Sequence, residues 1–236
     1  MVKEITGPSG RADVDAFLRK AAQLPATKTP AVSGRLVFAL DATASREASW
    51  DRACQLQGEM FSETQTLGGL RIQLCYYRGF NEFYAGPWVA AAAQLCTQMS
   101  AVHCAGGYTQ IGKVLTHALH ETRQQRVNAL VFVGDCVEEE IDQLCRLAGQ
   151  LGMLAVPVFI FHEGGDADAE SAFRQIARLS GGAYSAFNAG SAQQLRDLLG
   201  AVAVYAAGGE RALQRYGLRK GDAVRLLSRQ IGKGTE

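Results

Sequence analysis

Arg35-Leu36-Val37-Phe38-Ala39-Leu40-Asp41-Ala42-Thr43-Ala44-Ser45 is the stretch from which the rest of the chain is read. Leu36, Val37, Phe38 and Leu40 form an apolar run with only the small Ala39 among them. A run without polar alternation has the composition of a strand covered on both faces. Asp41 stands where that strand would end, and Thr43 and Ser45 follow at alternate positions, spaced to turn their oxygens the same way. Three oxygen-bearing side chains this close suit a small hard cation such as Mg²⁺, which prefers oxygen and keeps part of its water. In open parallel sheets, ligands bind just beyond the carboxyl ends of the strands, where Asp41 would lie.

The chain has 236 residues, enough for one α/β domain with extensions at its ends. Apolar residues make up 47%, which supports a full core and excludes wholesale disorder. The formal net charge of +1 gives no global electrostatic reason to expect nucleic acid or an anionic membrane as partner. No apolar run reaches bilayer-spanning length, and Met1 to Gly10 does not read as a signal peptide. Cys54, Cys75, Cys96, Cys104, Cys136 and Cys145 are scattered, with no C-x-x-C pair, and read as reduced thiols. A cytoplasmic protein is therefore expected.

Taken in order, residues 11–24 carry Val14, Phe17, Leu18, Ala21 and Leu24 at helical spacing, stopped by Pro25. Residues 1–33 are expected to form an N-terminal helical extension. After the first strand, Trp50 to Phe61 outlines a helix that ends before Gly68-Gly69. Leu70 to Tyr77 reads as a strand. Phe83 to Trp88, which contains Pro87, reads as an edge strand, where proline is tolerated. A helix over Val89–Met99 leads to the glycine loop Gly106-Gly107-Tyr108-Thr109, which feeds a second helix carrying Ile111, Val114, Leu115, Ala118 and Leu119.

Val127–Val133 is the clearest buried strand, and it ends in Gly134-Asp135. A helix from about Glu138 to Leu151, a strand over Leu154–Phe161 and a helix over Ala169–Leu179 follow. The strand Ala183–Phe187 and the helix Ala192–Ala206 complete the domain. Strands alternating with helices predict a three-layer α/β fold: a mostly parallel sheet with one antiparallel edge strand and helices on both faces. From Gly208 onward the balance turns basic, with Arg211, Arg215, Arg219, Lys220, Arg225, Arg229 and Lys233 against Glu210, Asp222 and Glu236. This tail, residues 208–236, is expected to be helical, with a solvated face as the default.

Three loops thus place oxygen side chains at strand ends or helix starts: Asp41-x-Thr43-x-Ser45, Thr109 and Asp135. In this order and in these loops they resemble the metal-ion-dependent adhesion site of the von Willebrand factor A (VWA) domain family, a Rossmann-like fold. The order of elements resembles that family's from residue 34 to about 207. The resemblance implies that Thr43 and Ser45 coordinate Mg²⁺ (or Mn²⁺) directly. It implies that Asp41 acts mainly through bound water and by orienting the hydroxyls. Thr109 would coordinate directly or through water, and Asp135 would stand behind the direct ligands. Two departures are visible: Cys136 follows Asp135 where glycine is usual, and Tyr108 separates Gly107 from Thr109. Taken singly, Thr109 also reads as a helix N-cap and Asp135 as a turn residue.

A second reading is a phosphate loop, since Gly107 to Lys113 fits G-x-x-x-x-G-K; Val114 stands where Ser or Thr would hold Mg²⁺, and no strand closely precedes it. A third, aspartyl phosphotransfer at Asp41, lacks a second acid two residues on. His117 and His120, three apart on one helix, have no further zinc ligands at suitable spacing. Glu138-Glu139-Glu140 reads first as favourable charge at a helix N-terminus.

The expected function is a non-enzymatic, Mg²⁺-dependent protein-interaction module, an adaptor whose partner presents Asp or Glu to the metal. By analogy with intracellular members of the family, that partner belongs to an ATPase or chaperone-like assembly. The competing class is metal-assisted phosphoryl transfer or hydrolysis at the same face, with Glu138–Glu140 or the histidines as base. A scaffold that binds through its basic tail, with a vestigial metal site, is the third.

Overall fold

A computed structural model of the chain describes residues 34–47, 70–187, 192–217 and 230–231. The helices expected over residues 11–24 and Trp50–Phe61, and most of the basic tail, lie outside the described residues.

Among the described residues the sheet has six strands in the order β3-β2-β1-β4-β5-β6. They are β1 (Gly34–Asp41), β2 (Leu70–Arg78), β3 (Glu82–Val89), β4 (Ala129–Gly134), β5 (Val158–Glu163) and β6 (Ala183–Phe187). All neighbours pair in parallel except β2 with β3. The helices are α1 (Ala92–Ser100), α2 (Ile111–Gln124), α3 (Ile141–Met153), α4 (Ala167–Leu179) and α5 (Ala192–Gly217).

The apolar run of β1 is buried at every position because it is the central strand of a two-sided sheet. Leu36, Phe38 and Leu40 face a core that holds Leu95 and Met99 of α1 and Leu199, Val202 and Ala206 of α5. Val37 and Ala39 face the opposite core, with Ile111 and Val114 of α2, Leu144 of α3 and Phe173 of α4. Period-two alternation therefore feeds two cores from one strand.

β3 is the antiparallel edge strand that Pro87 foretold. Its register against β2 shifts between Gln73 and Cys75, and the Gln73 side chain donates to the Gly86 carbonyl (3.0 Å) at that bulge. Val89 pairs with Ile72, so α1 starts at Ala92 and the helix expected from Val89 begins three residues later. The strand expected from Leu154 starts at Val158, because the amides of Leu154, Ala155 and Val156 are used to close α3. At the start of β1, Arg35 lies over the Trp88 ring (3.8 Å) and pairs with Glu121 (2.7 Å), which also accepts from the Trp88 indole (2.9 Å). A buried cation is tolerable only with such partners.

α5 is two helical stretches joined by a bend at Gly209, whose φ of 70° glycine adopts without strain; the first matches the helix expected over Ala192–Ala206, and the second is the start of the helical tail. Beyond the bend Leu213 is fully buried, and Ile231 joins the same core. The start of the basic tail thus contributes apolar packing, where a solvated face was the default expectation. Gln230 accepts from the Tyr184 amide (3.1 Å), so a side-chain amide covers part of the edge of β6.

Gly34 shows how closely α5 lies on β1: a Cβ there would fall 2.2 Å from the Ala206 carbonyl oxygen. Gly34→Ala is expected to cost about 1–3 kcal/mol of stability, read as a lower urea midpoint at unchanged m-value.

Candidate metal centre

The strand order puts a switch point at β1. The chain leaves β1 towards β2 and β3 on one side and returns to β4 on the other. The carboxyl ends of β1 and β4, Asp41 and Gly134-Asp135, therefore flank the crevice where helical connections diverge. Gly134 is needed here for space: a Cβ would meet the Phe132 ring at 2.7 Å and Asp41 Cβ at 3.5 Å.

Asp41 is fully buried. Its Oδ1 accepts from the Thr43 amide (2.8 Å) and the Thr43 hydroxyl (2.6 Å), and its Oδ2 accepts from the Tyr77 hydroxyl (2.9 Å). Burial lifts its pKa above the usual aspartate value; the bonds from Thr43 and Tyr77 pull it down, and nearby Asp135 pushes it up again. Tyr77 titrates well above its ordinary range, through burial and the Asp41 charge, and so remains a phenol donor. With both oxygens of Asp41 engaged, the acid orients the loop and turns the buried Thr43 hydroxyl towards itself. Thr43 Oγ1 and Ser45 Oγ lie 3.1 Å apart, and Ser45 is exposed.

The neighbouring loops lock onto this one. The Ala105 amide donates to the Ala42 carbonyl (3.1 Å), and Thr43 forms an isolated bridge with Ala105. Further along, the Tyr108 amide donates to the Gly79 carbonyl (3.2 Å), where Gly107 is required because a Cβ would sit 1.9 Å from that oxygen. Thr109 is buried and exchanges two bonds with Glu138: its amide donates to the carboxylate (2.8 Å), and its hydroxyl accepts from the Glu138 amide (2.9 Å). Thr109 is thereby tied to the loop that carries Asp135. The His162 ring contacts the Asp135 carbonyl (3.1 Å) from β5.

The glutamates sit at two helix N-termini: Glu140 is the N-cap residue of α3, and Glu139 reaches across to the start of α2. Glu139 accepts from the amides of Ile111 (2.5 Å) and Gly112 (2.8 Å). These bonds also bear on the G-x-x-x-x-G-K match. The first amides of α2 point at a carboxylate, and the loop follows α1 with no strand between.

Of the candidate residues, Asp41, Thr43 and Ser45 are joined by direct contacts, and Asp135 acts electrostatically on Asp41. Thr109 reaches the group through its loop. Among the described residues no three His, Cys, Asp or Glu side chains converge to hold a metal ion. The donor set here is two acids and three hydroxyls, and it fits a hard cation: Asp135 Oδ1 is buried and has no hydrogen-bond partner among the described residues. Cys136, in the place of the usual glycine, has its thiol pushed up to about 12 by burial and by Asp135, so it stays neutral. His117 bonds Gln73 (2.9 Å) and lines, with His120 and Lys113, a separate groove of about 520 Å³ along α2.

Three participants carried no signal in the sequence. Tyr77 looked like any strand aromatic. Phe80 lies in the turn after β2. Arg46, one residue beyond Ser45, is 1% exposed, against the usual exposure of arginine.

No protein-family model matches the sequence, and no curated protein matches it. Solved structures do. A von Willebrand factor type A protein from Catenulispora acidiphila shares 16% identity at a TM-score of 0.60, over 75% of this chain and 43% of that one. The SpRpn10 VWA domain shares 14% at 0.55, over 66% of this chain and 89% of that one. Proximal thread matrix protein 1 of the mussel byssus, in a structure with a zinc-occupied MIDAS motif (the adhesion site described above), shares 15% at 0.57, over 74% and 46%. The chain therefore spans less than half the length of the first and third. The likeness establishes the fold: the described residues adopt the VWA, Rossmann-like architecture.

Tyr77→Phe keeps the ring and leaves the buried Asp41 Oδ2 one donor short. The expected loss is about 1–3 kcal/mol, measured by denaturant unfolding in chelator.

Proposed function

We propose that this chain is a non-enzymatic protein-interaction module that binds Mg²⁺ at the crevice between β1 and β4 and captures an Asp or Glu of a partner there. The observation that carries this reading is the division of labour around Asp41. Its Oδ1 holds the amide and hydroxyl of the buried Thr43 and its Oδ2 accepts from Tyr77, while the exposed Ser45 sets its hydroxyl 3.1 Å from that of Thr43. When bound, a divalent cation there supplies an electron-poor centre with an open position for a carboxylate. Thr43 and Ser45 would hold it directly, Asp41 would orient them, Thr109 would coordinate directly or through water, and Asp135 would stand behind the direct ligands. All are oxygen donors, which favours Mg²⁺ or Mn²⁺ over ions that prefer nitrogen and sulfur.

Two further features favour binding over turnover. Glu138 and Glu139, which offered a general base at this face, are engaged with backbone amides of the α2 loop. Phe80 and Tyr108 stand exposed on the two loops that meet at Gly79, packed edge to face with ring centres 5.5 Å apart. An exposed aromatic pair on loops at the carboxyl end of the sheet suits a protein anchor. The free thiols Cys75, Cys104, Cys136 and Cys145 accord with a reducing, cytoplasmic setting. Among the described residues no helix is long and apolar enough to cross a membrane. An adaptor within an ATPase or chaperone-like assembly is the setting that this reading anticipates.

Calorimetric titration of Mn²⁺ and Mg²⁺ into chelator-stripped protein should reveal one site, and Asp41→Asn should weaken it about 10- to 100-fold. No binding by the folded wild type contradicts the reading. Peptides selected for binding in Mg²⁺ should share an Asp or Glu and be released by chelator. They should also lose affinity for Phe80→Ala/Tyr108→Ala, which should still bind Mn²⁺ normally.

A further inference from the structure

The short 3-10 turn after Thr43 sends its residues in different directions. Ala44, Ser45 and Glu47 are exposed, while Arg46 is 1% exposed, with its amide bonded to the Thr43 carbonyl (3.0 Å). Its guanidinium pairs with Glu163, the last residue of β5. Gly134 pairs with His162 in the register of β4 and β5, so Glu163 stands beside Asp135 at the ends of the two strands. After the desolvation that burial imposes, Asp135 and then Asp41 are the strongest influences on the guanidinium. One buried side chain, adjacent in sequence to a hydroxyl of the metal centre, therefore brings a positive charge within electrostatic reach of Asp135 and Asp41. The charges of Asp135 and Asp41 act on this guanidinium, and Glu163 pairs with it. Formally, two negative charges remain, the charge that a single divalent cation cancels.

We propose that Arg46 is the resident counter-cation of the metal centre: it holds the acids together when no metal is bound and sets the affinity for a divalent cation below what the acids alone would give. The proposal rests on the reading of this face as a cation site. Its physical basis is that buried carboxylates close together are costly unless a cation neutralises them. A fixed positive charge within a few ångströms also repels an incoming divalent ion, and salt screens it little when it is buried. Glu163 sets how strongly this repulsion is felt, because it draws part of the guanidinium's charge towards β5.

Two variants that break the same ion pair should then move metal affinity in opposite directions. Arg46→Met removes the positive charge and keeps an apolar stem of similar length. Mn²⁺ should bind it on the order of tenfold tighter or more, and its melting temperature in chelator should fall below wild type. Glu163→Gln leaves the guanidinium facing the remaining acids and should bind Mn²⁺ several-fold more weakly, by the same Coulomb argument. Arg46→Lys, which keeps the charge, should stay close to wild type.

The experiment is Mn²⁺ calorimetry on the full chain and these three variants, with melting curves in chelator. If both ion-pair variants shift in the same direction, Arg46 merely props the loop and the proposal is overturned. Equal Mn²⁺ affinity in Arg46→Met and wild type overturns it while leaving the metal site intact. Absence of binding in wild type and Arg46→Met alike overturns both this proposal and the metal reading. Should Arg46→Met fail to fold without metal, Glu163→Gln decides alone: unchanged or tighter binding there contradicts the proposal.

Discussion

The fold depends on keeping one carboxylate ionisable inside a protein. Asp41 is fully buried at the end of the central strand, and an uncompensated charge there would cost more than a typical domain can spare. Each adjacent element answers that constraint. The loop after β1 folds back so that Thr43 donates twice, and β2 supplies Tyr77. Gly134 keeps β4 close without a side chain. The 3-10 turn buries an arginine in the same region. Together these contacts fix the direction of the buried Thr43 hydroxyl, which lies 3.1 Å from that of the exposed Ser45.

The neighbouring loops show how such rigidity is passed outward. Glu138 and Glu139 carry the connection from β4 onto the first turn of α2, satisfying amides that a helix start leaves open. Gly79 and Gly107 let two loops touch backbone to backbone. The exposed aromatics Phe80 and Tyr108 therefore stand on loops that are braced, which limits the ordering cost of meeting a partner. At the other edge of the sheet, Gln230 covers part of β6 and Ile231 joins the core, so part of the basic tail belongs to the packed unit.

Much of this was legible in the sequence. The unbroken apolar run of β1 announced a two-sided sheet, Pro87 an edge strand, and the oxygen triplet a cluster of polar side chains at a strand end. What the sequence withheld depended on tertiary partners. Arg46 carries the usual mark of a surface residue, and only the approach of Glu163 from β5, distant in sequence, makes its burial possible. Glu138 and Glu139 precede one helix and serve another, a pairing that arises because α2 and the end of β4 meet at the same edge. The expected solvated face of the tail did not anticipate Leu213, which the bend at Gly209 returns to the core.

The central claim is that Asp41 orients the Thr43 and Ser45 hydroxyls to hold a divalent cation at the β1–β4 crevice. Diffraction from Mn²⁺-soaked crystals, collected for anomalous signal, tests it most directly. The account predicts one strong peak about 2.1 Å from both hydroxyl oxygens. A protein saturated with Mn²⁺ that shows no peak there, or only one in the His117–His120 groove, would contradict it.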